Sequence, residues 1–578
     1  MNTRVTPPTK DPIAVYPEVP GIDYNKFKLS EDKMTPEQMK AALDELSNYI
    51  SGQQKNFLGY QANQKLDYRD ALKEFLNVHM NNIGDPFVSG NFTVNTKFLE
   101  RAVLDYFAAI WNAQWPHESK GDSTSDYKNS YWGYVVSMGS TEANFFGIWN
   151  ARDYLSGKAL LPDPNTRERA RSASVNGIPQ SLTPKIINYQ AKSTKENPNM
   201  YTPIAFFSQD THYSIIKGMR VLSFTTFNEA GSGKFTCPLK YPEDYPKGFS
   251  INYLDENGWP FEVPSNSDGS IYVPALAKLV EAFASMGHPI FVNFNYGTTF
   301  KGAYDNVEEA INQLVPILKK YGLYEREVVF DKDNKKTDTR TGFWFHVDGA
   351  LGAAYMPFLQ MTSEGSDLPV FDFRLKDVHS ISMSGHKWIG APWPCGIYMS
   401  KVKYQLLPPD NPNYIGSPDS TFAGSRNGFS ALILWHYIAT HSYEDSKNLI
   451  LECQDTARYT VDKLNALSEE ICTDLWVEYS PKTLTIRFKQ ANPDIIFKYS
   501  LSGEILYVNG EERGYSHIYI MPHVTKEKID QFIEDLKVPG AFPEQTLTIE
   551  KYSTSYDTDY ELNSHKGIYV PQTGRGFR

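Results

Sequence analysis

A lysine in the run Ser384-Gly385-His386-Lys387-Trp388 follows, by thirty-nine residues, an aspartate in His346-Val347-Asp348-Gly349-Ala350. A primary amine on a tight Gly-His turn can condense with an aldehyde to a Schiff base. A carboxylate at the end of an apolar strand, Gly342 to Val347, can hold a heterocyclic nitrogen protonated. Each residue alone has an ordinary counterpart, a solvated lysine or an aspartate that caps a turn. Together they supply what pyridoxal phosphate asks of a protein: a covalent anchor, and a partner that keeps the ring an electron sink.

Four further runs surround this pair. In Met138-Gly139-Ser140-Thr141-Glu142-Ala143-Asn144, small residues between a strand and a helix bring backbone N–H groups and two hydroxyls to a helix N-terminus, which suits a phosphate dianion. The same residues also make a plain N-cap with Glu142 in the first turn. Asp210-Thr211-His212-Tyr213-Ser214 follows a strand, and the flat ring of His212 could stack on an aromatic cofactor or simply pack beside a capping aspartate. Asn295-Tyr296-Gly297-Thr298-Thr299 is a small-residue turn where backbone could approach a ligand, or a loop. In Gly424-Ser425-Arg426-Asn427-Gly428, Arg and Ser could bind a phosphate or carboxylate; otherwise this is a Gly-bounded turn with a surface arginine.

The elements that must position these groups alternate between period-2 and period-3.6 patterns. Strand-like runs at 133–138, 204–207, 289–293, 343–347 and 380–384 alternate with helical ones at 141–155, 214–222 and 307–321. Such alternation predicts an α/β fold with a mostly parallel sheet. Upstream, helices are expected at 35–55, 66–79 and 97–111, behind a Pro-rich arm. The charged stretch 325–342 reads as a solvated loop or hairpin. After a Pro/Asn/Ser loop at 403–423, a long helix (430–468), strands at 474–488, 495–508 and 516–521, and a helix at 525–537 predict a smaller α+β unit. The expected organisation is an N-terminal arm and helical segment (1–110), a large cofactor-binding domain (111–410), a loop and small C-terminal domain (411–540), and a C-terminal arm (541–578).

The 578 residues carry a net charge of −11, which argues against nucleic acid or an anionic membrane as partner. Cys237, Cys395, Cys453 and Cys472 are scattered without a CxxC pair, so a zinc site or a disulfide framework is not expected and a reducing cytoplasm is the natural compartment. The first residues lack an apolar export core, and no run of eighteen apolar residues occurs. Two decoys are set aside. Asn228 to Phe235 ends like a phosphate loop but has Asn at the first glycine and Phe where a magnesium-binding hydroxyl belongs. Asp331 to Lys336 starts like a calcium loop but lacks its third ligand and its glycine, and no metal is expected.

Read in order, Gly-Ser-Thr-Glu-Ala-Asn, Asp-Thr-His-Tyr-Ser, His-Val-Asp-Gly-Ala and Ser-Gly-His-Lys-Trp-Ile-Gly resemble the signature of PLP-dependent group II amino-acid decarboxylases. Asn81-Asn82-Ile83-Gly84-Asp85-Pro86 and the 424–428 run resemble the histidine/serine branch, and the chain length and the insertions near 224–272 and 325–342 resemble longer bacterial relatives acting on methionine or valine. The resemblance spans roughly residues 66–540. It implies PLP fold type I, an aspartate aminotransferase-like architecture with a smaller C-terminal α+β domain, and a homodimer with shared active sites. Lys387 would hold the cofactor aldehyde, Asp348 the pyridine nitrogen, His212 one ring face and Ala350 the other. Ser140, Thr141, Ser384 and His386 would surround the phosphate, Ser425 would reach it across the dimer, and Asn295 would lie near the ring hydroxyl. Tyr414, on the 403–423 loop, or His212 would return a proton to the product. The Asn81–Phe87 turn, with His79, Asn82 and Phe87, would line the substrate pocket. The implied reaction is decarboxylation of a neutral L-amino acid, aliphatic (methionine, valine, leucine) ahead of histidine or an aromatic, with an aldehyde synthase as the alternative.

Overall fold

Six runs rich in β-branched and aromatic residues build a central sheet: β1 (Tyr131–Val136), β2 (Ile204–Phe206), β3 (Ile290–Asn295), β4 (Phe343–Asp348), β5 (Val378–Ser384) and β6 (Gly396–Lys401). Their order is β1-β6-β5-β4-β3-β2. Strands β2 to β5 pair in parallel, while β6 runs antiparallel to both β5 and β1. Five strands therefore point one way and only β6 opposes them. The computed structural model describes residues 19–117, 127–162, 186–331, 336–405, 414–508 and 511–543.

Strands β3 and β4 are buried along their whole length, as expected of a sheet covered on both faces. Side-chain alternation divides the two coats. Phe291 and Trp344 pack with Ile148, Tyr154, Ile215 and Met219, from the helices Ser140–Leu155 and Tyr213–Val221. Ile290, Val292, Phe343 and Phe345 join the larger core with helices Val273–Ser285, Val307–Lys320 and Gly352–Gln360. A second, antiparallel sheet holds β7 (Glu478–Tyr479), β8 (Thr485–Lys489), β9 (Ser502–Val508) and β10 (Glu511–Tyr519), in the order β7-β8-β10-β9. It is joined to the first at Tyr519, whose hydroxyl donates to the Thr299 carbonyl at 2.6 Å.

The α/β alternation and the mostly parallel sheet agree with the sequence pattern; several boundaries do not. The helix expected over 66–79 is a single turn, Arg69–Leu72, without a side-chain cap. Phe75, Leu76 and Val78 stand exposed, so no packed apolar face supports a longer helix. The helix expected over 430–468 is two helices, Gly428–Thr440 and Tyr443–Glu470, because Ser442 and Asp445 form a capping box that starts the second. The first five residues of the strand expected at 495–508 belong to a helix, Pro493–Tyr499, set by the Asn492 cap and proline at its first turn. The run at 474–488 is broken into β7 and β8, and the charged stretch is a hairpin of Arg326–Asp331 with Lys336–Arg340. The Pro-rich start (1–18), part of the 403–423 loop (406–413) and nearly all of the 541–578 arm lie outside the described residues.

Candidate active site

Because five strands share one direction, their C-terminal ends open on one edge of the sheet, where parallel sheets bind ligands. Each end carries one of the motifs above. Val136 leads to Gly139-Ser140-Thr141, Phe206 to His212, Asn295 closes β3, Asp348 closes β4, and Ser384 leads to Lys387.

Asp348 is almost fully buried, and burial pushes its carboxyl above the ordinary aspartate range while the Lys387 charge and nearby donors oppose that shift. Asn144 Nδ2 donates to Oδ2 at 2.8 Å, and the Ala350 N–H donates to Oδ1 at 3.1 Å. Lys387 lies in the turn after β5, and its Nζ donates to Gln61 Oε1 at 2.8 Å. Burial lowers its amine below the usual lysine range, with Asp348 pulling the other way. Gln61 in turn aims its amide N–H at the carbonyls of Thr298 and Thr299, 3.5 and 3.4 Å away. Its oxygen is therefore the atom that faces the lysine.

His212 is the N-cap of Tyr213–Val221; its Nδ1 accepts from the Ser214 N–H and lies 2.8 Å from Ser214 Oγ. Burial first, and the Lys387 charge second, push its pKa down to about 3, so the ring is neutral. Asn295 sits directly across from Asp348 in the β3–β4 register, but its amide donates to Ser208 Oγ and Thr211 Oγ1, both at 3.0 Å. It thereby braces the turn that carries His212. Behind it, buried Asp305 accepts the Asn295 and Ile271 N–H groups, both at 2.6 Å, and burial raises its carboxyl to about 7.

The helix Ser140–Leu155 begins at Gly139, with φ of +67° and no side chain to cap the free N–H groups. Ser384 Oγ accepts the Ser140 N–H at 3.0 Å, and a Cβ added at Gly139 would meet His386 Cε1 at 2.4 Å. Glu142 does not cap its own helix; it accepts the N–H groups of Ser137 and Met138, at 2.7 and 3.0 Å, and so shapes the turn. Ser140, Thr141, Ser384 and His386 thus gather at a helix start whose N-cap residue has no side chain, a setting that suits a phosphate, although the Ser140 hydroxyl donates to Ser382 Oγ at 2.8 Å.

Asn82 is buried and committed: its oxygen accepts from Thr96 N–H and Oγ1, and its amide donates to Glu100 Oε2 at 2.9 Å. Phe87 stacks on His117 with ring centres 3.6 Å apart, and His79 is exposed. Ser425 Oγ accepts from Asn81, and the Tyr414 ring is 81% exposed. Arg426 corrects the reading of its run in both forms, surface arginine or anion receptor. It is buried, paired with Glu100, and donates to the carbonyls of Gly84 and Val135 at 2.8 and 3.1 Å. Gln61, Asn144, Ser382 and Asp305 were not anticipated. The signal for one of them was visible: polar residues at alternate positions, Ser380, Ser382 and Ser384, inside a wholly buried strand.

Residues 261–480 match the pyridoxal-dependent decarboxylase conserved domain. L-methionine decarboxylase from Streptomyces sp. 590, solved with L-methionine methyl ester, is 41% identical, over 90% of this chain and 98% of that one, with a TM-score of 0.78. The chain belongs to the pyridoxal-dependent decarboxylases. Among curated relatives, histidine decarboxylase of Mesorhizobium japonicum is 27% identical over 87% of this chain and 99% of that protein. Serine decarboxylase 1 of Oryza sativa is 25% identical over 88% of this chain and 78% of that protein. The fold is therefore PLP fold type I and the cofactor is pyridoxal phosphate, as the resemblance implied. The residues present fit it: a lysine amine, a buried carboxylate and an uncapped helix N-terminus converge on one edge of the sheet.

Proposed function

We propose that this decarboxylase acts on a neutral aliphatic L-amino acid, methionine first, releasing CO₂ and the primary amine. The observation that carries this reading is the 41% identity to the methionine enzyme across nearly the whole of both chains. Charge supports it. An acidic side chain needs an unpaired cation, yet Lys301 lies 3.2 Å from Asp210, Arg426 pairs with Glu100, and Lys97 Nζ donates to the carbonyls of Asp85 and Val88.

Bound pyridoxal phosphate supplies the electron sink for the pair left on Cα when CO₂ departs. The chain's own residues do the rest in this reading. Lys387 would hold the cofactor aldehyde, Asp348 would pair with the ring nitrogen, and the 139–141 turn with Ser384 and His386 would hold the phosphate. Neutral His212, locked by Ser214, presents a flat apolar face that excludes water and favours loss of a neutral gas. Ala350 covers the opposite face. Tyr414 returns the proton to Cα. Its exposure, with that of Phe75, Leu76, Val88, Phe92 and Val94, fits a homodimer in which Tyr414, Ser425, His79 and Phe87 complete the site beside a second copy, while buried Asn82 only braces their turn. Four free cysteines and the lack of a long apolar helix among the described residues suit the cytoplasm.

Screening the twenty amino acids for CO₂ release, with identification of the product, tests the reading. Release from methionine, valine or leucine with formation of amine supports it. Release from histidine or serine alone, or an aldehyde product, overturns it.

A further inference from the structure

Beneath the helix Ser140–Leu155, β4 and β5 carry a column of buried polar groups leading away from Asp348. Trp344, His346 and Asp348 share one face of β4, and Ser380, Ser382 and Ser384 share that face of β5. Register sets His346 opposite Ser380, and Asp348 opposite Ser382. Asn144 closes the column from the helix above. One turn later Gly147 lets that helix rest on the imidazole, since a Cβ there would meet His346 Cε1 at 3.0 Å.

The bonds that run from Trp344 through Ser380, His346 and Asn144 to Asp348 all point the same way. Trp344 Nε1 lies 2.9 Å from Ser380 Oγ, and an indole only donates. At the far end Asn144 faces Asp348 at 2.8 Å, and an ionised carboxylate only accepts. The amide must therefore present Nδ2 to Asp348 and Oδ1 to His346 Nε2, 3.0 Å away. That oxygen requires a proton on Nε2, which leaves Nδ1 to accept from Ser380 Oγ at 2.8 Å. Ser382 Oγ also donates to Asn144 Oδ1, at 2.6 Å, and helps to lock the amide. Burial pushes the His346 pKa down to about 3, so the ring relays without becoming charged.

We propose that Trp344, Ser380, His346 and Asn144 form a one-way donor relay of positioning residues that keeps Asp348 ionised against the cofactor's ring nitrogen. This rests on the reading of Asp348 as the partner of that nitrogen. The carboxyl is buried and burial favours its protonated form; the Lys387 charge opposes this most, and the Asn144 bond is the strongest hydrogen-bonded counterweight. Without that bond the carboxyl holds its proton more tightly, and the contact with the ring nitrogen weakens.

The test uses equilibrium titration of resolved apo-protein with pyridoxal phosphate and with an analogue whose ring nitrogen is replaced by CH. The ratio of the two affinities reports the contact between Asp348 and the nitrogen, and general loosening of the site cancels from it. Asn144→Ala and His346→Phe are expected to lower the ratio about tenfold, the worth of one charge-assisted hydrogen bond. His346→Gln, whose amide can still donate to Asn144, restores most of it. Trp344→Phe keeps the ring and removes only the donor, so it gives a smaller loss and serves if the larger changes prevent folding. Equal weakening towards both ligands, or an unchanged ratio in the variants that fold, overturns the relay. Asp348→Asn separates the two levels. If it also leaves the ratio unchanged, the assignment of Asp348 fails; if it abolishes the preference while relay variants keep it, only the relay fails.

Discussion

Replacing Arg426 by methionine separates the two roles that an arginine in a Gly-Ser-Arg-Asn-Gly turn could play. Its guanidinium is 2% exposed and pairs with a Glu100 side chain that is 0% exposed. It also donates to the Gly84 and Val135 carbonyls, and so ties the 81–86 turn to β1. Removing one partner of a buried pair costs about 3–5 kcal/mol, because the other charge is left uncompensated. Glu100 keeps two donors, the Val135 N–H at 2.8 Å and Asn82 Nδ2 at 2.9 Å, which places the expected loss at the lower end, about 3 kcal/mol. Arg426→Met/Glu100→Gln removes both charges and should recover at least about 1 kcal/mol, a coupling typical of contacting residues. Urea unfolding of the apo-protein reads these differences as midpoint shifts at constant slope. Cofactor affinity, titrated well below the transition, should stay within a factor of about 3 of wild type, or ~0.7 kcal/mol. A variant that unfolds at the wild-type midpoint but binds pyridoxal phosphate or substrate far more weakly would refute the structural role and restore Arg426 as an anion receptor.

Borohydride treatment of the yellow holoenzyme should bleach it and leave the cofactor attached at Lys387 alone, as peptide mapping by mass spectrometry would read; label at another lysine removes the assignment. Asp348→Ala should bind cofactor yet lose turnover by about 10²–10³-fold, the cost of deleting one preorganised charge partner; a wild-type kcat contradicts the site. Tyr414→Phe should divert product from amine towards aldehyde or keto acid, and an unchanged amine yield in product analysis counts against Tyr414 as proton donor. His346 has a folded pKa of about 3 against 6.5 for the free side chain. The unfolded chain therefore binds more protons between those values, and stability falls as pH drops through that window. This buried imidazole alone contributes at most about 1.4 kcal/mol per pH unit, which His346→Phe should remove from urea unfolding measured between pH 6 and pH 4.

The strand-end turns were legible in the sequence because their chemistry is local. Lys387, Asp348, His212 and the 139–141 turn each follow a short apolar run, and a parallel sheet brings such ends to one edge wherever the strands fall in its order. Elements that depend on tertiary partners were not. Residues 66–79 have helical spacing, but after Leu72 their apolar residues Phe75, Leu76 and Val78 stay exposed among the described residues, whereas Asn492-Pro493 overrode a strand-like run with two local signals. Arg426 and Asn82 show the same limit inside the site. Nothing in Gly-Ser-Arg-Asn-Gly states that its arginine meets a glutamate 326 residues earlier, and that separation alone decides between a ligand receptor and a buried strut. Gln61 is the mirror case, an unremarked residue in a loop whose oxygen lands 2.8 Å from the Lys387 amine. What the sequence concealed was therefore not which groups end the strands but what holds them. The holding groups come from the second turn of the helix Ser140–Leu155, from alternate positions of buried strands and from the first hundred residues, where polar side chains become informative only once their partners are known.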